Sequence, residues 1–236
     1  SEDGIRDAQE SRGLGDVYKR QATRELEESS SASAGVAIVK AHYPFARAYG
    51  LADDLCRSAK RFRAQERKRT QQEQGSYLDW HFAVGGLVAE LGDIRQREYQ
   101  TKEGHLCLRP LGLNPELPTQ VDVFTARRWG VFEKALSAFQ GTEWATRRNK
   151  VKALRDALRQ GEKAVERFCL IYLDGSHKLP ALIENDKGIH CETGWLLGDD
   201  KEKSRCAYFD AIELADVYMP LVQHPTPQSE THEEVA

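Results

Sequence analysis

The chain has one methionine, Met219, and no apolar stretch approaching the ~20 residues that a membrane-crossing helix needs. Membrane insertion through an apolar helix is therefore not expected. Its five cysteines, Cys56, Cys107, Cys169, Cys191 and Cys206, form no C-x-x-C and no cluster with histidine at zinc spacing. An odd number at irregular intervals excludes a regular disulfide framework and fits reduced thiols in the cytoplasm. No hydrophobic signal region opens the chain as given, which agrees with a cytoplasmic protein. P-loop, dinucleotide and catalytic-triad signatures are all missing. So is any excess of positive charge: the formal net charge of -3 excludes a uniformly basic nucleic-acid binder and leaves room only for a local basic patch.

What is present is enough for one domain of ordinary size and an appendage. Hydrophobic residues make up 40% of the 236 positions and charged residues 30%, a core under a highly charged surface. The two ends read differently from the middle. Residues 1–21 mix glycine with charge and have no period that buries a face. Arg12 to Gln21 resembles translated sequencing-adapter read-through, so 1–21 is expected to be non-native. With Met219 as its one methionine, the chain is expected to be a fragment. Residues 223–236 carry Pro225, Pro227 and several acids, and read as a disordered tail.

Between these ends the pattern is strand, helix, strand. Gly35 to Val39 is a short apolar run that predicts a buried strand, and Pro44 suits a first helical turn. Phe45, Ala48, Ala52, Leu55, Ala59 and Phe62 then recur at spacings of three and four, which places one apolar stripe against a sheet. Tyr77 to Val84 alternates Leu78, Trp80, Phe82 and Val84 with Tyr77, Asp79 and His81, a strand with one buried face. Downstream, His105 to Leu108 suggests a short strand. Thr125 to Phe139 and Trp144 to Gln160 are periodic helices, and Gly161 separates the second from a further helix through Phe168. Short strands or loops and a closing helix at Tyr208 to Val217 complete an α+β reading.

The wording inside the first unit is distinctive. Ser33-x-Gly35, Ala52-Asp53 and Ala59-Lys60 resemble the second half of a GGDEF-type nucleotidyl cyclase palm. They are closer to the second palm of the large subunit of type III CRISPR effector complexes. The tyrosine usual inside the A-D…A-K segment is Arg57 here, a departure from the GGDEF version. A looser likeness runs through Arg109-Pro110, the helical pair and Tyr208 to Leu214.

The resemblance implies a partial ferredoxin-like palm at 22–86 followed by a mainly helical region at 87–222. It also implies antiviral defence and an ATP-using nucleotidyl cyclase class when the protein is complete. Two-metal chemistry with Mg or Mn needs paired carboxylates. The resemblance puts these before Ser33, so no catalytic residue, metal ligand or cofactor is expected in this chain. Nucleotide (ATP), RNA and CRISPR effector subunits are the implied partners. A non-catalytic palm scaffold that binds RNA or partner subunits is the main rival reading, and an unrelated ferredoxin-like binding module is a third.

The candidate residues follow. Lys60 ends the resembling segment, where the family's lysine reaches nucleotide phosphates; it equally suits the carboxyl end of a helix dipole. Arg57, Lys60, Arg61, Arg63, Arg67, Lys68 and Arg69 form the densest positive run. This is a phosphate-binding patch or a solvated helix end. Within it, Lys60, Arg61 and Arg63 are the nucleotide- or phosphate-binding candidates, together with Ser33 and Gly35, whose small size equally serves close strand packing. Asp79 and His81 share one strand face and form a possible polar pair, although i,i+2 neighbours lie ~6.6–7 Å apart. Gly198-Asp199-Asp200 imitates a metal-binding hairpin in letters and reads as a solvated turn.

Overall fold

The computed structural model describes residues 31–71, 75–83, 90–113, 123–173, 179–182, 193–196, 198 and 203–219. The expectations for 1–21, 223–236, Val84, Cys191, Asp199 and Asp200 lie outside the described residues. Within them the fold is α+β, and it opens with the predicted strand, helix and strand. These are β1 (Ser33–Val39), α1 (Phe45–Thr70) and β2 (Tyr77–Ala83). The strands pair in parallel, Ser33 opposite Tyr77 through Val39 opposite Ala83. A short antiparallel strand, β4 (Leu111–Gly112), pairs with Leu78 and Tyr77 to complete the sheet in the order β1-β2-β4.

The local chemistry of α1 explains its span. Pro44 precedes it at φ -59, and Arg67, Lys68 and Arg69 occupy its last turn, where cations suit the carboxyl end of the dipole. Gln71 stops it in the left-handed region at φ 56 and donates its N–H to the Arg67 carbonyl. Leu55, Ala59, Phe62 and Glu66 are the buried positions, again spaced by four and three. Gly35 lets this helix sit on the sheet. A Cβ there would stand 2.2 Å from the Ala52 carbonyl oxygen and 2.3 Å from the Cys56 nitrogen, so any side chain would push the helix away.

Two expectations are corrected. Phe45 does not face the sheet; it is 82% exposed, with its ring centroid 6.5 Å from that of Tyr49. The reason is the narrowness of the sheet at that end, because β4 pairs only with the opposite end of β2. For the same reason β1 is an edge strand rather than a fully buried one, with Ala34 and Val36 exposed on its outer face.

The rest of the described chain is mainly helical. It contains α2 (Leu91–Glu98), α3 (Trp129–Gln140), α4 (Thr142–Ala145), α5 (Arg148–Gln160), α6 (Glu162–Tyr172) and α7 (Phe209–Leu214). A second small sheet has the order β3-β6-β5, from β3 (Gly104–His105), β6 (Ser204–Cys206) and β5 (Trp195–Leu196). Gly161 separates α5 from α6 at φ +99, and Glu103 lies 2.3 Å from where its Cβ would stand. The positive φ is what favours glycine, since the flexible Glu103 side chain can move aside.

One apolar core runs through these elements and across residue 86. Trp80 of β2 packs edge-on against Phe132 of α3 at 5.2 Å and belongs to the same buried cluster as Leu108, Leu154, Trp195 and Phe209. Among the described residues no helix is long and apolar enough to cross a membrane.

Candidate functional site

Part of the positive charge of α1 faces a groove of about 790 Å³, walled by that helix and the start of α2, whose lining also includes Asp54 and Glu90. Lys60, Arg61 and Arg57 project into it from α1, and Arg95 from α2. Arg57 is tied to Asp53 at 2.5 Å and to Asp54 at 3.4 Å, exposed pairs that contribute little to stability. Lys60 and Arg61 are exposed and make no hydrogen bond or ion pair with any described residue.

The remaining predicted residues lie elsewhere. Arg63 points to the other flank of the helix and donates to the Ser31 carbonyl at 3.3 Å. Gly35 is covered by α1, as described above. Ser33 is half-buried beneath the helix: its hydroxyl has no partner, and its carbonyl accepts a weak bond from the Cys56 thiol at 3.3 Å. The groove thus gathers Lys60 and Arg61 from the five predicted phosphate residues. Helical geometry explains the split, since positions 61 and 63 are ~200° apart around the axis.

Asp79 and His81 do not form the predicted pair. Both are buried, because α1 covers the face of β2 that carries them and Tyr77. The Asp79 carboxylate takes two bonds from the Arg95 guanidinium, at 2.9 and 2.6 Å. A planar cation with two parallel N–H groups fits a carboxylate far better than an imidazole two residues away on a strand. The same guanidinium donates to Ser58 Oγ at 3.3 Å and so ties α2 to α1.

His81 is left with its Nδ1 unpartnered and its ring edge-on to Tyr99 at 5.9 Å. Burial pushes its pKa down to about 4, helped by the charges of Arg109 and Arg95 and opposed by Asp79. Folded His81 thus refuses a proton that the unfolded chain accepts at its ordinary value of 6.5. Stability contributed by neutral His81 is complete above pH 6.5 and declines as pH falls through the interval to about 4. The full decline amounts to about 3 kcal/mol. His81→Gln is expected to flatten this part of the profile, measured by urea unfolding at pH 7, 5.5 and 4.5. Equal slopes for the two proteins would refute the assignment.

Next to the groove, and sharing Ser58, Arg61 and Arg95 with it, lies a second pocket of about 350 Å³. Its wall carries Arg61, Arg95, Arg109, Arg127, Arg205 and His105 and, among the described residues, no Asp or Glu. Arg127 Nε donates to the Leu108 carbonyl at 2.9 Å, and Arg205 Nη1 to the Cys107 carbonyl at 2.7 Å, which fixes both guanidiniums against the 107–108 backbone. The field is felt by His105, whose pKa falls to about 4 through burial and then Arg205, Lys203, Arg127 and Arg95.

Apart from Arg61, sequence reasoning missed these arginines. They lie on α2, on β6 and in irregular segments, far apart in the chain and outside any charge run, so only the fold assembles them. No protein-family model matches the chain, and no curated protein matches it either. Among the described residues no group of three or more His, Cys, Asp or Glu side chains is placed to hold a metal ion.

Proposed function

We propose that the chain is part of a palm protein of the type III CRISPR large-subunit kind, acting in the cytoplasm in antiviral defence. Its own task in that protein is to hold a phosphate-bearing ligand, ATP or RNA, in the groove of α1. One observation carries this reading: Lys60 and Arg61 stand unpartnered over a groove whose other cations are Arg57 and Arg95. Fixed cations on a helix surface neutralise phosphate and release its counterions.

The described carboxylates near the groove do not form a metal-ligand set. Asp53 and Asp54 are engaged by Arg57. Nucleotidyl transfer with Mg or Mn and ATP therefore belongs, in this proposal, to the complete palm, with its paired carboxylates supplied from before Ser33. Electrostatic anchoring alone binds a triphosphate but neither activates a hydroxyl nor neutralises a developing charge on a leaving group. If the complete protein has no such carboxylates, the same groove serves a non-catalytic scaffold for RNA or effector subunits.

The test is titration of the purified chain with ATP and with single-stranded RNA, alongside Lys60→Ala and Arg61→Ala. Each substitution is expected to weaken binding about 3–10-fold and to reduce the slope of log K on log salt by roughly one. Unchanged affinity and slope in both variants would remove the groove from the proposal. Incubation with ATP and Mg or Mn is expected to yield no oligoadenylate from this chain. Product formation would place the catalytic carboxylates inside it, with Asp199 and Asp200 the first to substitute.

A further inference from the structure

We infer that the arginine-walled pocket beside the groove is a receptor for a terminal phosphate monoester, the end group of a nucleotide or of an RNA strand. The inference rests on the phosphate-binding reading of the groove and adds a second site that selects for the ligand's end.

Charge is the first argument. Five guanidiniums converge from α1, α2, β6 and two irregular segments on a space of about 350 Å³ whose lining, among the described residues, has no carboxylate; behind the wall Arg95 is paired with Asp79, and Arg109 with Asp210 and Glu213. A phosphate monoester brings close to two negative charges and three strong acceptor oxygens, whereas a diester inside a strand brings one charge and is blocked on two sides. The converging cations suit the former.

Anchoring is the second. Arg127 Nε and Arg205 Nη1 are held by the Leu108 and Cys107 carbonyls at 2.9 and 2.7 Å, so these guanidiniums are fixed in place before a ligand arrives.

The wall also bears on which part of a nucleotide enters. Phe62 and Tyr99 are buried and covered, by Arg127 at 3.6 Å and by Arg109 at 5.0 Å, so neither ring offers a face on which a base would stack. Because Ser58, Arg61 and Arg95 border both spaces, a phosphate seated in the pocket leaves the body of its ligand to run along the groove past Lys60.

The experiment compares short single-stranded RNAs that differ only in a 5′-phosphate or 5′-hydroxyl, the same strands with a 3′-phosphate or 3′-hydroxyl, and AMP against adenosine. One phosphate-ended form is expected to bind at least ~10-fold more tightly than its hydroxyl partner, the gain typical of charge-assisted hydrogen bonds. A preference confined to AMP identifies a free nucleotide as the source, and one confined to RNA identifies a strand end.

Arg205→Ala is expected to abolish the preference, read as the ratio of phosphate-ended to hydroxyl-ended affinity. Arg205→Gln, which keeps a donor for the Cys107 carbonyl, is the second variant, and thermal melting checks that each is folded. Equal binding of phosphate- and hydroxyl-ended ligands, with binding still sensitive to Lys60→Ala, would overturn the pocket and leave the groove standing. So would a preference retained in both Arg205 variants. Failure of every ligand to bind the native chain would overturn the groove reading and this inference together.

Discussion

Asp210→Ala is expected to lower the unfolding free energy by about 3–5 kcal/mol, the range for removing one partner of a buried, hydrogen-bonded charge pair. Asp210 lies in the first turn of α7 and is fully buried. One oxygen of its carboxylate accepts the backbone N–H groups of Leu108 at 2.8 Å and Arg109 at 2.9 Å, and the other faces the Arg109 Nη1 at 3.5 Å. Alanine would strand two buried backbone donors and strip a buried guanidinium of one of its two counterions. Glu213, 3.4 Å from Arg109 Nη2, would remain as partial compensation. At roughly 2–4 °C per kcal/mol for a chain of this size, melting should fall by about 10 °C. Asp210→Asn keeps an acceptor and should lose less. Equal stability of the native and alanine proteins in urea would show that the 108–109 segment is held by packing alone.

Most of the first unit was legible in the sequence, and the reason is periodicity. Leu55, Ala59 and Phe62 declare a helix face, and the alternation around Trp80 declares a strand. Periodicity separates two faces of an element but does not say what covers each. Asp79 and His81 occupy the polar face of β2, which would be taken for the wetter one, yet α1 buries it. Phe45 continues the apolar stripe in letters but runs past the width of the sheet. The candidate site was legible only on α1, where Lys60 and Arg61 are part of a dense run. The pairing of Arg109 with Asp210, 101 positions apart, and the gathering of Arg95, Arg127 and Arg205 depend on how layers pack. No local pattern records that.

Arg95→Ala is the second large effect expected, and it couples the fold to the site. Arg95 has a side chain 20% exposed, while its partner Asp79 has none. Removing the arginine leaves a carboxylate deep between α1 and the sheet with no cation, a loss of about 3–5 kcal/mol. Removing the carboxylate instead, as Asp79→Ala, should lose less, because a partly exposed guanidinium can turn to water. The double variant Arg95→Ala with Asp79→Leu should recover much of the loss, since an apolar side chain of similar size needs no partner. Urea-unfolding measurements on the native chain and these three variants check the asymmetry. Equal losses for the two single alanine variants, or no recovery in the double variant, would count against the buried pair as the source. The double variant also serves the binding question. It restores the fold while lacking one cation shared by groove and pocket, so ligand affinity should stay reduced even where stability returns. Recovery of both together would mean that Arg95 supports the site only through the fold; separation of the two would assign its charge a direct part in holding phosphate.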